Sequence, residues 1–82
     1  MDDKHDEVFK ALVEHLSERG IEGEARMDSE LGNDLGLDSL DAVELALALE
    51  SRFDIQILES EMENVDTVGG VVELVASKLV AA

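Results

Sequence analysis

Apolar residues recur every three to four positions in three separate segments of this chain and nowhere alternate in strand fashion, which restricts it to a helical fold. In residues 3–18, Val8, Leu12 and Leu16 share one face, with Phe9 and Val13 beside them. Near the C-terminus Val68, Val71, Val72, Val75 and Leu79 form a second stripe, and Thr67 before them is the expected helix cap. The third segment runs to Phe53 and opens at Asp38, an N-cap with Asp41 three positions on as a short capping-box partner. A brief turn from Glu59 to Asn64 predicts a further, short helix. The expected fold class is therefore all-α, a compact bundle of three main helices and one short third helix.

The connections carry their own signals. Gly20 ends the first helix. Residues 21–37 then make a long connection with Gly23, Gly32 and Gly36, but also with Ile21, Met27, Leu31 and Leu35, so it is expected to pack against the core. Gly69 and Gly70 fall in the first turn of the last helix and cost roughly 1 kcal/mol each relative to Ala, which predicts a fraying end.

Eighty-two residues make one domain, expected to span 1–82, and a chain of this size buries only about 60 to 65% of the surface its unfolded form exposes. Nearly every strongly apolar residue is then needed for the core, and little is left to build a deep catalytic pocket. With no Cys, neither a disulfide framework nor a thiolate metal site is possible. No apolar run approaches the roughly 18 residues of a membrane span and no secretion signal is evident, so a cytoplasmic location without membrane insertion is expected.

Charge narrows the partners. There are 21 acidic against 6 basic residues, a formal net charge of −15, and from Met27 to Ser51 seven acidic residues stand with no Lys or Arg. Such a chain repels nucleic acid backbones and anionic membranes and meets basic protein surfaces faster. Acidity that serves only solubility is the alternative.

The helix after Asp38 has two apolar sides. At 100° per residue with Leu40 at zero, Ala42, Leu45, Ala46, Leu49 and Phe53 fall between about 140° and 240°, a face wide enough for the core. Leu40, Val43 and Leu47 fall between about 300° and 360°, flanked by Asp41 and Glu44 on one side and Glu50 on the other. A narrow apolar strip rimmed by carboxylates fits a docking surface for a partner with a basic rim. A helix buried on both sides fits the periodicity equally well.

Ser39 stands at or next to the first helical residue, where free N–H groups and the positive end of the helix dipole favour an attached or bound anion such as a phosphate ester. It is also an ordinary constituent of a cap. As a nucleophile of its own it is poorly placed, since Ser needs a positioned base and nothing in the sequence brings His5 or His15 to it. No catalytic residues are therefore assigned.

At these residues the sequence resembles a known family. DLGLDSLD, Asp34 to Asp41, followed by AVELALALESRF, is similar to the signature of acyl carrier proteins of the free-standing bacterial kind that serve fatty acid and polyketide synthesis. The resemblance extends over essentially the whole chain and implies an acyl-carrier-like four-helix bundle that carries acyl groups and is not an enzyme. It implies that Ser39 is esterified by the 4′-phosphopantetheine of coenzyme A, through a separate Mg²⁺-dependent phosphopantetheinyl transferase. The thiol of that arm would hold acyl intermediates as thioesters and present them to acyl-transferring and synthase enzymes. Asp38, Asp41, Glu44 and Glu50 would engage Arg and Lys of those enzymes, with Leu40, Val43 and Leu47 as the apolar contact, in a monomeric carrier. Ala42 and Ala46 beside Leu45, Leu49 and Phe53 would leave room for an acyl chain.

Departures from the family pattern bear on the pathway. Leu58 stands where Pro commonly precedes the acid that opens the third helix, and Ser51 and Arg52 stand where fatty-acid carriers are usually acidic. Two other classes remain. A calcium binder would need regularly spaced oxygen ligands, a spacing that Asp34, Asp38 and Asp41 lack. An acidic helical adaptor that binds one partner without a prosthetic group would have no use for Ser39.

Overall fold

The computed structural model describes residues 3–21 and 25–81. Within them four helices follow in order: α1 (Asp3–Glu18), α2 (Ser39–Phe53), α3 (Glu59–Glu63) and α4 (Val68–Ala81). The all-α expectation holds, and the expected third helix ends one residue early because Asn64 is its C-cap. Gly23, counted above in the long connection, lies outside the described residues.

α1 packs on both α4 and α2, and α2 on α3. The core between them takes Val8, Leu12 and Leu16 from α1, Leu45, Ala46 and Leu49 from α2, Met62 from α3, and Val68, Val71, Val72 and Val75 from α4. Ala42 and Phe53, placed on the core face of α2 by the helical wheel, are only half-buried at its edges. α1 ends in a left-handed turn: Gly20 has φ +76°, and the Ile21 N–H reaches back to the Leu16 carbonyl at 3.0 Å.

The connection before α2 is pinned rather than loose. Leu31 is buried, Ile21, Ala25, Leu35 and Leu37 pack against the core, and Met27 is the exception, with its side chain exposed. The Glu30 N–H donates to Asp34 Oδ2 at 2.7 Å and the Leu37 N–H to the Leu31 carbonyl at 2.9 Å, closing a compact turn in which Gly36 takes φ +70°. This turn sets the direction in which the chain reaches α2.

The start of α4, where fraying is expected, is helical and fastened to the preceding connection. The Val68 N–H donates to the Ser29 carbonyl at 3.0 Å, the Gly69 N–H to the Met27 carbonyl at 2.7 Å and the Gly70 N–H to Thr67 Oγ1 at 3.1 Å. Thr67 is thus the expected cap, and the loop supplies acceptors for N–H groups that a helix start otherwise leaves unpaired. The same region holds an isolated antiparallel bridge, Glu30 to Thr67, which helical periodicity does not announce. Gly69 is a steric requirement, since a Cβ there would lie 2.8 Å from the Met27 carbonyl oxygen, while a Cβ on Gly70 would lie 2.8 Å from the Val65 Cγ1 methyl, which would have to move.

Candidate functional site

The start of α2 is built as its sequence requires. Asp38 is extended, at φ −95° and ψ −175°, and its Oδ1 accepts the Asp41 N–H at 2.9 Å while its own N–H donates to Asp41 Oδ2 at 3.3 Å. That reciprocal pair is a capping box made of two aspartates. Ser39 is consequently the first residue of the helix, and it is exposed.

The two-sided helix resolves in favour of exposure. Leu40, Val43 and Leu47 are 65%, 41% and 59% exposed, against 1% for Leu49 on the opposite face. Their side of α2 borders a cleft of about 570 Å³ between α2 and α3. Ser39 stands in its wall, followed by Ala42, Val43, Ala46, Leu47 and Glu50, and the facing wall is made by Ile57, Glu59, Met62 and Glu63. The small side chains of Ala42 and Ala46 do leave room, as expected from their size. Leu45, Leu49 and Phe53, also expected beside that room, do not line it: Leu45 and Leu49 are core, and the opposite wall comes from α3.

The carboxylates of α2 are committed within the chain. Asp41 Oδ1 accepts from Arg19 Nη2 at 2.8 Å, and Arg19 Nη1 pairs with Glu44 Oε2. Glu50 Oε2 accepts the Ile57 N–H at 3.1 Å, so it tethers the segment between α2 and α3 at one end of the cleft. Arg52, a departure from the family pattern, joins α2 to α1 through Glu14 at 2.8 Å. At the start of α3 the Leu58 N–H donates to Glu61 Oε1 at 2.9 Å and Lys78 of α4 holds Glu61 Oε2 at 2.9 Å. The Leu58 N–H first, and Lys78 second, hold the Glu61 carboxyl below the usual carboxylate range.

Arg19 and the α3 wall were not found by sequence reasoning. Glu59, Met62 and Glu63 share one face of α3 at i, i+3 and i+4, so their grouping was readable, but not what they face. Arg19 lies 22 positions from Asp41, and no local signal joins the two. Among the described residues, no group of three or more His, Cys, Asp or Glu is arranged to hold a metal ion, and no helix is long and apolar enough to cross a membrane.

An exposed serine thus opens a helix beside a largely apolar cleft, and residues 10–75 match the family described as phosphopantetheine attachment site. The chain belongs to the acyl carrier protein family, whose members carry acyl groups on phosphopantetheine and are not catalysts. It is 43% identical over 75 residues to an acyl carrier protein of Prochlorococcus marinus (strain MIT 9515), covering 89% of this chain and 94% of that one. It is also similar to the solution structure of the 3,7-dioxo-octyl actinorhodin acyl carrier protein from Streptomyces coelicolor, with a TM-score of 0.72 and 33% identity over 95% of this chain and 93% of that one.

Proposed function

We propose that Ser39 is the residue that carries the phosphopantetheine arm, and that the exposed side of α2 is where partner enzymes dock. The observation that supports this most is the position of Ser39: the first residue of α2, exposed, and part of the wall of the cleft. An anionic phosphodiester there meets the positive end of the helix dipole and the first-turn N–H groups.

Attachment is a phosphoryl transfer in which the Ser39 oxygen forms the new P–O bond, the nucleotide half of coenzyme A leaves, and the serine proton passes to a base of the transferase. When bound, the arm supplies a thiol that holds an acyl group as a thioester. The chain's own contribution is positional. Asp38 and Asp41 hold the start of α2 rigid, so Ser39 is offered at a defined place, and Ala42, Ala46, Ile57 and Met62 offer apolar surface next to it. The actinorhodin relative is described with a 3,7-dioxo-octyl group, and an acyl chain of that general kind suits a cleft with this lining.

Leu40, Val43 and Leu47 give partners an apolar strip, and Asp38, Asp41, Glu44 and Glu50 a rim of matching charge for Arg and Lys. A carrier must be released after each transfer, so encounter led by charge with modest apolar burial suits it. The reading carries with it a monomeric carrier of the cytoplasm, its strip kept for transient partners.

Incubating the apo protein with coenzyme A and a bacterial phosphopantetheinyl transferase, followed by intact mass measurement, tests the assignment of Ser39. Wild type gains one phosphopantetheine. Ser39→Ala gains none, while its melting temperature stays close to wild type because Asp38 still caps α2. Loading of the alanine variant would refute the assignment.

A further inference from the structure

Of the 6 Lys and Arg residues, Arg19 is set apart by where its charge goes: its guanidinium spans two carboxylates of the face proposed above for docking. Nη2 lies 2.8 Å from Asp41 Oδ1 and Nη1 pairs with Glu44 Oε2. Arg19 follows the last residue of α1 and precedes the left-handed Gly20, so the chain turn at the end of α1 delivers this cation to the first half of α2. Arg52 also pairs with a carboxylate, but its partner is Glu14 of α1, and the bond ties two helices without occupying the strip's rim.

We infer that Arg19 is an internal competitor for the docking face, a stand-in for the partner's arginine that must be displaced before a basic enzyme engages Asp41 and Glu44. The inference rests on the docking reading of α2. Three features make the arrangement displaceable. The Arg19 side chain is 38% exposed, and exposed ion pairs are weak because water and salt screen them. Asp41 keeps its other oxygen on the Asp38 N–H, so the capping box survives when Arg19 leaves. Leu40, Val43 and Leu47 are exposed beside the pair, so a partner gains apolar contact as it takes over the carboxylates.

The consequence is selectivity by partner chemistry. A guanidinium on the partner reproduces the two-carboxylate geometry it displaces, whereas a lysine ammonium is a point charge that replaces it incompletely. Enzymes whose patch presents arginine are therefore favoured over those presenting lysine alone.

The test is the association rate of the full-length apo carrier with a bacterial phosphopantetheinyl transferase at low and physiological salt, for wild type, Arg19→Gln, Arg19→Lys, Arg52→Gln and Glu44→Lys. Arg19→Gln and Arg52→Gln change the net charge equally, so Arg52→Gln measures the general effect of one extra negative charge. Arg19→Gln is expected to associate about two- to fivefold faster than Arg52→Gln at low salt, the advantage fading as salt rises, with Arg19→Lys between Arg19→Gln and wild type. Glu44→Lys is expected to slow association. If Glu44→Lys slows it but Arg19→Gln matches Arg52→Gln, the competitor role is overturned and the docking reading stands. If Glu44→Lys has no effect, the docking reading fails and the inference with it.

Discussion

Replacing Gly69 by alanine sets two opposing effects against each other, and the structure says which one dominates. A glycine inside a helix costs about 1 kcal/mol relative to alanine, so helix propensity alone predicts stabilisation. The added Cβ, however, would lie 2.8 Å from the Met27 carbonyl oxygen and 3.5 Å from its carbonyl carbon. That is backbone, which cannot rotate away like a side-chain tip. The same carbonyl accepts the Gly69 N–H at 2.7 Å, so relieving the clash also stretches the bond that fastens the connection to α4. Overpacking typically costs about 1–3 kcal/mol and a weakened hydrogen bond about 0.5–1.5 kcal/mol. After the propensity gain is subtracted, Gly69→Ala should be destabilised by about 0.5–3.5 kcal/mol. For a domain of this size that lowers the melting temperature by roughly 2–28 °C. Urea unfolding followed by circular dichroism measures it, with Gly32→Ala as the comparison: there the nearest atom to an added Cβ is the Leu37 carbonyl oxygen at 3.8 Å, and a change within about 0.5 kcal/mol is expected. A Gly69→Ala protein as stable as wild type, with an unchanged denaturant slope, would refute the argument that close approach selects this glycine.

The two faces of α2 should respond in opposite ways. Leu49→Ala, at 1% exposure, is expected to cost about 2–5 kcal/mol as a core truncation, whereas Leu47→Gln, at 59%, should stay within about 0.5 kcal/mol and instead weaken engagement of partner enzymes; paired thermal melts and binding titrations separate them. Glu61 makes a prediction about pH. Its carboxyl is held below its ordinary value of 4.5 by the Leu58 N–H and by Lys78, so its contribution is present above that value and is lost as pH falls through the lower, folded-state value. Glu61→Gln should therefore melt below wild type at neutral pH, with the two curves converging below pH 4.5. A gap that stays constant across that range would show that charge on Glu61 is not what matters.

Local chemistry makes much of this protein legible from its sequence. Helical periodicity set the helices of the bundle, Asp38 and Asp41 announced the start of α2, and Thr67 the start of α4, because caps and periods depend on residues within a turn of one another. DLGLDSLD also named the family and pointed to Ser39, since that octapeptide is a contiguous signature. Other features join residues far apart in sequence, and tertiary packing alone decided them. Periodicity could not say whether Leu40, Val43 and Leu47 were covered, because that depends on whether another helix lies over them, and among the described residues none does. Gly69 and Gly70 read as weakness along the chain, yet in the fold the backbone of the connection passes so close to Gly69 that a side chain there would not fit. Ala42 and Ala46 predicted room, but the wall facing them comes from α3 and the segment before it. Arg19 reaches Asp41 and Glu44 only because α1 packs beside α2, which brings together charges separated by 22 positions or more. A sequence records which side chains are neighbours along a helix; which helix stands opposite is set by burying all the apolar faces at once.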